Sequence, residues 1–460
     1  RGSIVNRWLT GLALQSAIRT PLVSALVVLA IGLGVGVTMP MLVLYSNNSG
    51  DPIPNVSDSV YLVLLDNWDE EIGPWPSEPN MPPNLLTARD ATALANIGIS
   101  ELNSVGYLSL QYVRANSPDF TNPIMVEVRA TSRDFFEMFE VPMEFGQVWT
   151  AESDRTRANV VVISSGLNKS LFGGSDSTGR DLKVGGETYE IVGVLSPWNL
   201  TPRVYSIGFN AGVEGVFLPL SQFKRESIKP SRVLATKPIP AEEFDERFLA
   251  SEVLFAQLWI KLNSNSELRE YENFVATYVL EQQTNGRFPG SAVDNRLYSA
   301  KEWLEVSPDN KSTKRLYIAL AMVGGLFLIV CLSNLISLLL SKFLGNLKST
   351  SVLRALGIAR YRIFQLYLTE VAILGLAGGF LSVGISMVVL ELMQWLYLSN
   401  LPPELKQLLM VSEGARTYMH FDNVLFATTL AVAISSICLV ALIPAFKVSN
   451  EKIIDHLRTS

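Results

Sequence analysis

Four stretches of this 460-residue chain run past twenty residues with almost no charge, and they constrain its fold more than any other feature. Crossing a bilayer as a helix takes about 20 mainly apolar residues at 1.5 Å each. The stretches are PLVSALVVLAIGLGVGVTMPMLVLY (21–45), LYIALAMVGGLFLIVCLSNLISLLLS (316–341), residues 367–398 and residues 424–446. The first is longer than the apolar core of a cleaved signal, about 7–15 residues. Only 17 % of the residues are charged, against about 25 % in soluble domains, and the deficit lies in these stretches. A cytosolic enzyme, a disordered tail and a collagen-like chain are excluded. The expected fold class is an integral membrane protein: four transmembrane α-helices, one followed by three, with a large α+β extracytoplasmic domain (46–315) inserted between the first and second.

Charge orients the spans. Residues 46–315 hold 24 Lys+Arg and 36 Asp+Glu, whereas residues 1–20, 342–362 and 447–460 together hold 11 Lys+Arg and 2 Asp+Glu. Basic residues flank spans on the cytoplasmic side. The N-terminal segment (1–20), the connection 342–366 and the tail 447–460 are therefore expected in the cytoplasm. The large domain and the loop 399–423 are expected outside. An acidic outer domain does not suit nucleic acid, whose binding is driven by phosphate neutralisation. Both cysteines, Cys331 and Cys438, fall in apolar stretches, so the outer domain holds no disulfide. The pairs Gly32/Gly36 and Gly375/Gly379 have the GxxxG spacing that lets helices approach closely. Glu370 and Glu391 lie near the two ends of the third span, and both are expected to reach an interface. Residues 47–51, rich in Asn, Ser and Gly, read as a loose linker.

Short alternating runs mark the outer domain. Residues 59–66, 105–115, 123–130, 159–164 and 258–263 read as strands, and 180–195 as a hairpin around Gly185-Gly186. Residues 87–97 begin at a Thr cap with helical spacing; 266–283 read as an amphipathic helix opened by Ser266. Residues 73–83 and 198–214 read as loops.

Several chemistries lack their residues. GSDSTGRD (174–181) has two glycines at the spacing of a phosphate-binding loop, but Arg180 and Asp181 stand where Lys and Ser/Thr are required. The outer domain holds no histidine or cysteine, so Ser164-Ser165 has no base to activate it. His420 and His456 are far apart, with no zinc-binding spacing. Any energy the protein uses must come from another subunit.

Residues 135–195, from FFEMFEVPMEFG through VVVISSGLNKSLFGG to YEIVGVL, together with GVFLPLSQF (215–223), resemble the periplasmic core of one transporter family. CLSNLISLLLSKFLGNLKSTSVLRALGIARYRIFQLYLTE (331–370) resembles that family's second span and cytoplasmic helix, and LIPAFKVSNEKIIDHLR (442–458) its closing segment. On these residues the chain resembles the MacB/FtsX-type permeases of ABC transporters, the mechanotransmission (type VII) class. It departs from the family in Ser349-Thr350-Ser351-Val352, where an acidic residue and arginines are usual, and in Glu451, where Pro is usual. The resemblance implies a permease subunit that is not itself an enzyme and passes ATP-driven motion to its periplasmic domain. The work would be export or efflux of a peptide, antibiotic or lipid-like substrate. ATP and Mg²⁺ would be held by a separate cytoplasmic ABC ATPase dimer, with no cofactor in this chain. A second permease, alike or different, would pair with it, and a periplasmic adaptor and outer-membrane channel are optional further partners. The bacterial inner membrane is the implied location. The implied ATPase-coupling residues are Arg354, Ala355, Leu356, Gly357, Arg360 and Arg362, on an amphipathic helix whose Leu353, Leu356, Ile363 and Leu366 share a face. A lipoprotein-releasing or envelope-regulating permease, and a non-transporting sensor, are the alternatives.

Overall fold

The computed structural model describes residues 11–68 apart from 14 and 17, then 81–115, 123–198, 200, 202–206, 214–221, 228–235, 246–288, 295–402, 406 and 423–450. Two units emerge, one of long helices and one built on a sheet. In chain order the elements are α1 (Pro21–Ser49), β1 (Val60–Leu64), α2 (Ala88–Ala95), β2 (Leu102–Ala115), β3 (Ile124–Thr131), α3 (Asp134–Met138), β4 (Met143–Gly146), α4 (Ala151–Thr156), β5 (Val160–Ile163), α5 (Ser165–Phe172), β6 (Asp181–Val184), β7 (Glu187–Leu195), β8 (Val216–Pro219), α6 (Glu246–Ala250), β9 (Gln257–Lys261), α7 (Asn265–Thr284), β10 (Arg296–Ser299), α8 (Ala300–Val306), α9 (Pro308–Gly345), α10 (Leu347–Ala355), α11 (Arg360–Ser399) and α12 (Asn423–Asn450).

Among the described residues ten strands form one sheet in the order β10-β1-β9-β2-β3-β8-β5-β7-β4, with β6 paired to β2 and β7. Most pairs are antiparallel; β3–β8 and β5–β7 are parallel. Successive side chains on a strand point to opposite faces, and both faces are covered. Val161 and Ile163 of β5 enter one core with Leu94 of α2, Leu167 of α5 and Tyr271 of α7. Val160 and Val162 enter the other with Phe135 and Phe136 of α3 and Trp303 of α8. Burial on both faces explains why the central strands read as continuous apolar runs such as VVVI. The turn between β6 and β7 needs positive φ at both central residues, and Gly185 (58°) and Gly186 (94°) supply it. Thr87 caps α2 by accepting from Asp90 N at 3.1 Å. The cap of α7 is Ser264, not Ser266: its Oγ accepts from Glu267 N at 3.2 Å. Glu267 supports the earlier start, because its side chain turns back to accept from Asn263 N at 2.7 Å.

A charged cluster lies under the aromatic core. Glu214 is fully buried. Its Oε1 accepts from Arg129 Nε at 2.8 Å and faces Arg129 Nη2 at 2.6 Å. Its Oε2 faces Arg203 Nη1 at 3.6 Å and accepts from the Tyr205 hydroxyl at 3.2 Å. The Arg129 guanidinium also stacks on Tyr205 and Phe135, 4.8 and 5.3 Å from the ring centres. Burial alone would push the Glu214 carboxyl up, but the two guanidiniums outweigh it and hold it below the usual range. Glu127, on β3 beside this cluster, goes the other way: burial pushes it up to about 7 against the pull of Arg203.

Among the described residues the helical unit contains four helices long and apolar enough to cross a membrane, one ahead of the sheet unit in the chain and three after it. Their limits differ from the apolar stretches. α1 continues through Ser49, so residues 47–49 are helical rather than a loose linker. The buried Asn48 side chain donates back to Leu44 O at 2.8 Å, which replaces the solvation a linker would have had. α9 starts at Pro308, well before the apolar run at 316, because proline fits a helix's first turn and Ser307 O accepts from Lys311 N at 2.8 Å. α12 runs to Asn450. Most of the loop 399–423, the tail beyond 450 and residues 1–10 lie outside the described residues.

Candidate functional site

The sequence pointed to 342–366 as a single coupling helix. The chain instead makes an elbow there. α10 ends in a Schellman motif: Ile358 N donates to Leu353 O at 3.2 Å and Gly357 N to Arg354 O at 3.0 Å. Gly357 takes φ +86°, a left-handed conformation that costs other residues about 1 kcal/mol or more. α11 begins three residues later at Arg360, its first turn closed by Arg362 N to Ala359 O at 3.0 Å. The Ala-Leu-Gly signal for this stop was present in the sequence, but the amphipathic pattern on either side reads straight through it.

The break redistributes the predicted coupling residues. Arg354, Ala355, Leu356 and Gly357 form the end of α10 and its cap; Arg360 and Arg362 open α11. Leu353, Leu356, Ile363 and Leu366 do not share a face. Ile363 is buried, whereas Leu356 is 76 % exposed. Val352, four residues before Leu356 on the same helix face, and Tyr361 just past the break are exposed too. Arg360 is exposed beside it and the Arg362 guanidinium lies over the Tyr361 ring at 5.0 Å. Such a surface suits contact with another polar macromolecule: cations around a small apolar centre that water solvates poorly.

The predicted packing glycines meet neighbouring helices. A Cβ on Gly32 would lie 2.7 Å from Leu381 Cδ2, and one on Gly36 would lie 2.8 Å from Ile385 and 2.9 Å from Ser382 O, both on α11. A Cβ added at Gly375 or Gly379 would come as close to Ile437 or Leu430 of α12, 2.6 Å in each case. The Ser386 hydroxyl donates to Gly36 O at 3.0 Å, and the Thr38 hydroxyl to Gly324 O of α9 at 2.9 Å. α1 and α11 are thus central. α9 shows most of its apolar surface, including Met322, Val323, Leu326 and Val330. Glu391 is exposed, but Glu370 does not reach an interface. It is 1 % exposed and faces Lys342 Nζ at 2.9 Å. Lys342 opens the basic connection 342–362 that marks the cytoplasmic side, and its partner on another helix cannot be read from spacing.

Residues 174–181 form a turn into β6, with Asp176 Oδ1 accepting from Thr178 N at 3.0 Å. Among the described residues no group of three or more His, Cys, Asp or Glu could hold a metal ion.

A sheet-based unit carried in a chain that has, among the described residues, four membrane-length helices, with a basic elbow between the second and third of them, defines a multi-pass membrane protein. The family model for the MacB-like periplasmic core domain matches residues 24–273, and that for the FtsX-like permease C-terminal region matches residues 321–453. The chain belongs to the MacB/FtsX-type ABC transporter permeases. It is similar to the macrolide export ATP-binding/permease protein MacB of Wolinella succinogenes, 33 % identical over 75 residues; these make up 16 % of this chain and 12 % of that protein's length. Among solved structures it is similar to the periplasmic region of MacB from Actinobacillus actinomycetemcomitans, with 12 % identity, TM-score 0.35, 55 % of this chain and 96 % of that one covered. It is also similar to the extracellular domain of the transporter YknZ from Gram-positive bacteria, with 11 % identity, TM-score 0.30, 46 % of this chain and 88 % of that one covered.

Proposed function

We propose that this chain is the permease subunit through which a separate cytoplasmic ABC ATPase, carrying ATP and Mg²⁺, moves an extracytoplasmic domain. The elbow carries this reading. Leu356 and Tyr361 are exposed among Arg354, Arg360 and Arg362, on the side that the basic flanks assign to the cytoplasm. Closure of two ATPase subunits would displace the elbows of two permeases. The apolar surface of α9 left uncovered within one chain leaves room for that second permease. α1 leads into the sheet unit at Ser49, and the chain returns to the helical unit through α9, which Ser307 alone separates from α8; these two connections are the path such a motion would take. Rigid-element shear is enough for such transmission, and no substrate need cross the bilayer inside this chain. The work done is export, and the macrolide-exporting relative favours a small amphipathic cargo; an adaptor and an outer-membrane channel would complete the path. The location is the bacterial inner membrane, with both ends of the chain in the cytoplasm.

The test is co-purification of the full chain with its cognate ATPase. Leu356→Asp and Arg360→Glu, alone and together, should reduce recovery of the ATPase at least tenfold while membrane insertion is unchanged. Equal recovery with the double variant would overturn the docking role and leave the elbow as a lipid-interface element.

A further inference from the structure

Ionised side chains are expensive inside an apolar helix bundle and mark working positions more often than structural ones. In the helical unit several polar groups gather at one end. Lys342 and Glu370 are 2 % and 1 % exposed, and Nζ lies 2.9 Å from Oε1. The Lys342 ammonium also donates to Ser24 Oγ of α1. Four residues along, Asn346 Nδ2 donates to Ser16 Oγ at 3.1 Å. Four further, on α10, Thr350 Oγ1 and the Tyr367 hydroxyl of α11 share a hydrogen bond of 2.7 Å. The Tyr367 ring packs on Phe343, 4.3 Å between centres. Lys342, Asn346 and Thr350 thus form a ladder from the end of α9 into α10. Its rungs reach α1, the segment before it, and one face of α11, where Tyr367 and Glu370 are three residues apart.

Two observations argue that the ladder does more than stabilise. An apolar pair of similar volume would usually serve stability as well as a buried ion pair, or better. And α10 has limited apolar anchorage: Leu347 packs half-buried on the helical core and Leu353 is half-buried, but among its described side chains Thr350 is the one fully buried, while Val352 and Ala355 are exposed. What directional polar contacts provide, and sliding apolar ones do not, is register.

We propose that Lys342, Glu370, Thr350 and Tyr367 are positioning residues that fix α10 in register on α11 and α1, so that any displacement of α10 is carried into both helices as one body. The inference deepens the coupling role assigned to the elbow and rests on it only for the source of the displacement.

Spin-label distances in the full chain, reconstituted in lipid, test the register. Cysteines at Ser351 and Gln365 carry the labels, with Cys331→Ser and Cys438→Ser. The parent should give one narrow distance. The apolar double variant Lys342→Met/Glu370→Leu should insert and melt no lower than the parent, yet broaden the distance at least twofold. The swapped pair Lys342→Glu/Glu370→Lys should narrow it again. Thr350→Val and Tyr367→Phe, which bury no unpaired charge, should broaden it too. A narrow distance in the apolar double variant would overturn the proposal, and so would a swapped pair as broad as that variant, or no change with Thr350→Val and Tyr367→Phe. Complementation of a deletion strain tests the transmission. The apolar double variant should fall at least tenfold while still co-purifying with the ATPase; wild-type complementation would overturn that part. The distance measurement contains no ATPase, so a failure of docking and a failure of register are separately visible.

Discussion

Replacing Glu214 by Gln isolates the charge at the centre of the buried cluster, because the two side chains have nearly the same shape. In the native protein one carboxylate answers Arg129 at 2.6–2.8 Å, Arg203 at 3.6 Å and the Tyr205 hydroxyl at 3.2 Å. The amide keeps one accepting oxygen and turns an NH₂ toward a donor. At least one charge-assisted hydrogen bond is lost, about 1.5–3 kcal/mol. Two guanidiniums then stay buried with less opposing charge, and breaking a buried pair in this way costs about 3–5 kcal/mol. The larger figure is the expectation, since Glu214 and Arg203 are both fully enclosed. Urea unfolding of the full chain in detergent, followed by tryptophan fluorescence, measures it. Trp198, one of eight tryptophans in the chain, stacks on Tyr205 at 5.4 Å, so part of the signal comes from this region. The midpoint should fall by roughly 1 M or more. The effect has a pH signature. The folded state holds the Glu214 carboxyl below its ordinary value, so its stabilisation is present above that ordinary value and is lost as the pH falls through the depressed one. The difference between Glu214→Gln and wild type should therefore shrink in acid. The exposed control Glu281→Gln should stay within about 0.5 kcal/mol of wild type. A loss below about 1 kcal/mol for Glu214→Gln at neutral pH, or one independent of pH, would refute the argument that this carboxylate neutralises both arginines.

Glu127 should behave in the opposite sense. Its folded value of about 7 lies above the ordinary 4.5, so its stabilisation is complete below about 4.5 and lost as the pH rises through about 7. Glu127→Gln should remove ~1–3 kcal/mol of that decline, read from unfolding free energies between pH 4.5 and 8. Gly36→Val should destabilise the helical unit by about 1–3 kcal/mol, because its side chain would press on Ile385 and the Ser382 carbonyl. Gly384→Ala, with open space at its Cβ, should leave the melting temperature in detergent unchanged. A cysteine at Pro230 should react with an impermeant maleimide from outside intact cells and one at Lys348 should not; the reverse would invert the assigned topology.

The elements that could be read from the sequence are those set by neighbours in the chain. Four long apolar stretches, the strand alternation on both sides of Gly185-Gly186 and the Thr87 cap all depend on contacts within a few residues. So did the Gly357 stop, which was there to be read but lay within an amphipathic pattern that continues on both sides. The covering of both sheet faces, the enclosure of Glu214 by Arg129 and Arg203, and the removal of Lys342 from water to Glu370 were decided by the tertiary structure. The residues that meet there are far apart in sequence: Arg129 and Glu214 are separated by 85 positions. A lysine at the end of an apolar run has the same local pattern whether it points to water or to a carboxylate on another helix. Only packing brings the carboxylate within 2.9 Å, and the gain from that pairing, set against the loss of hydration, decides where the charge lies.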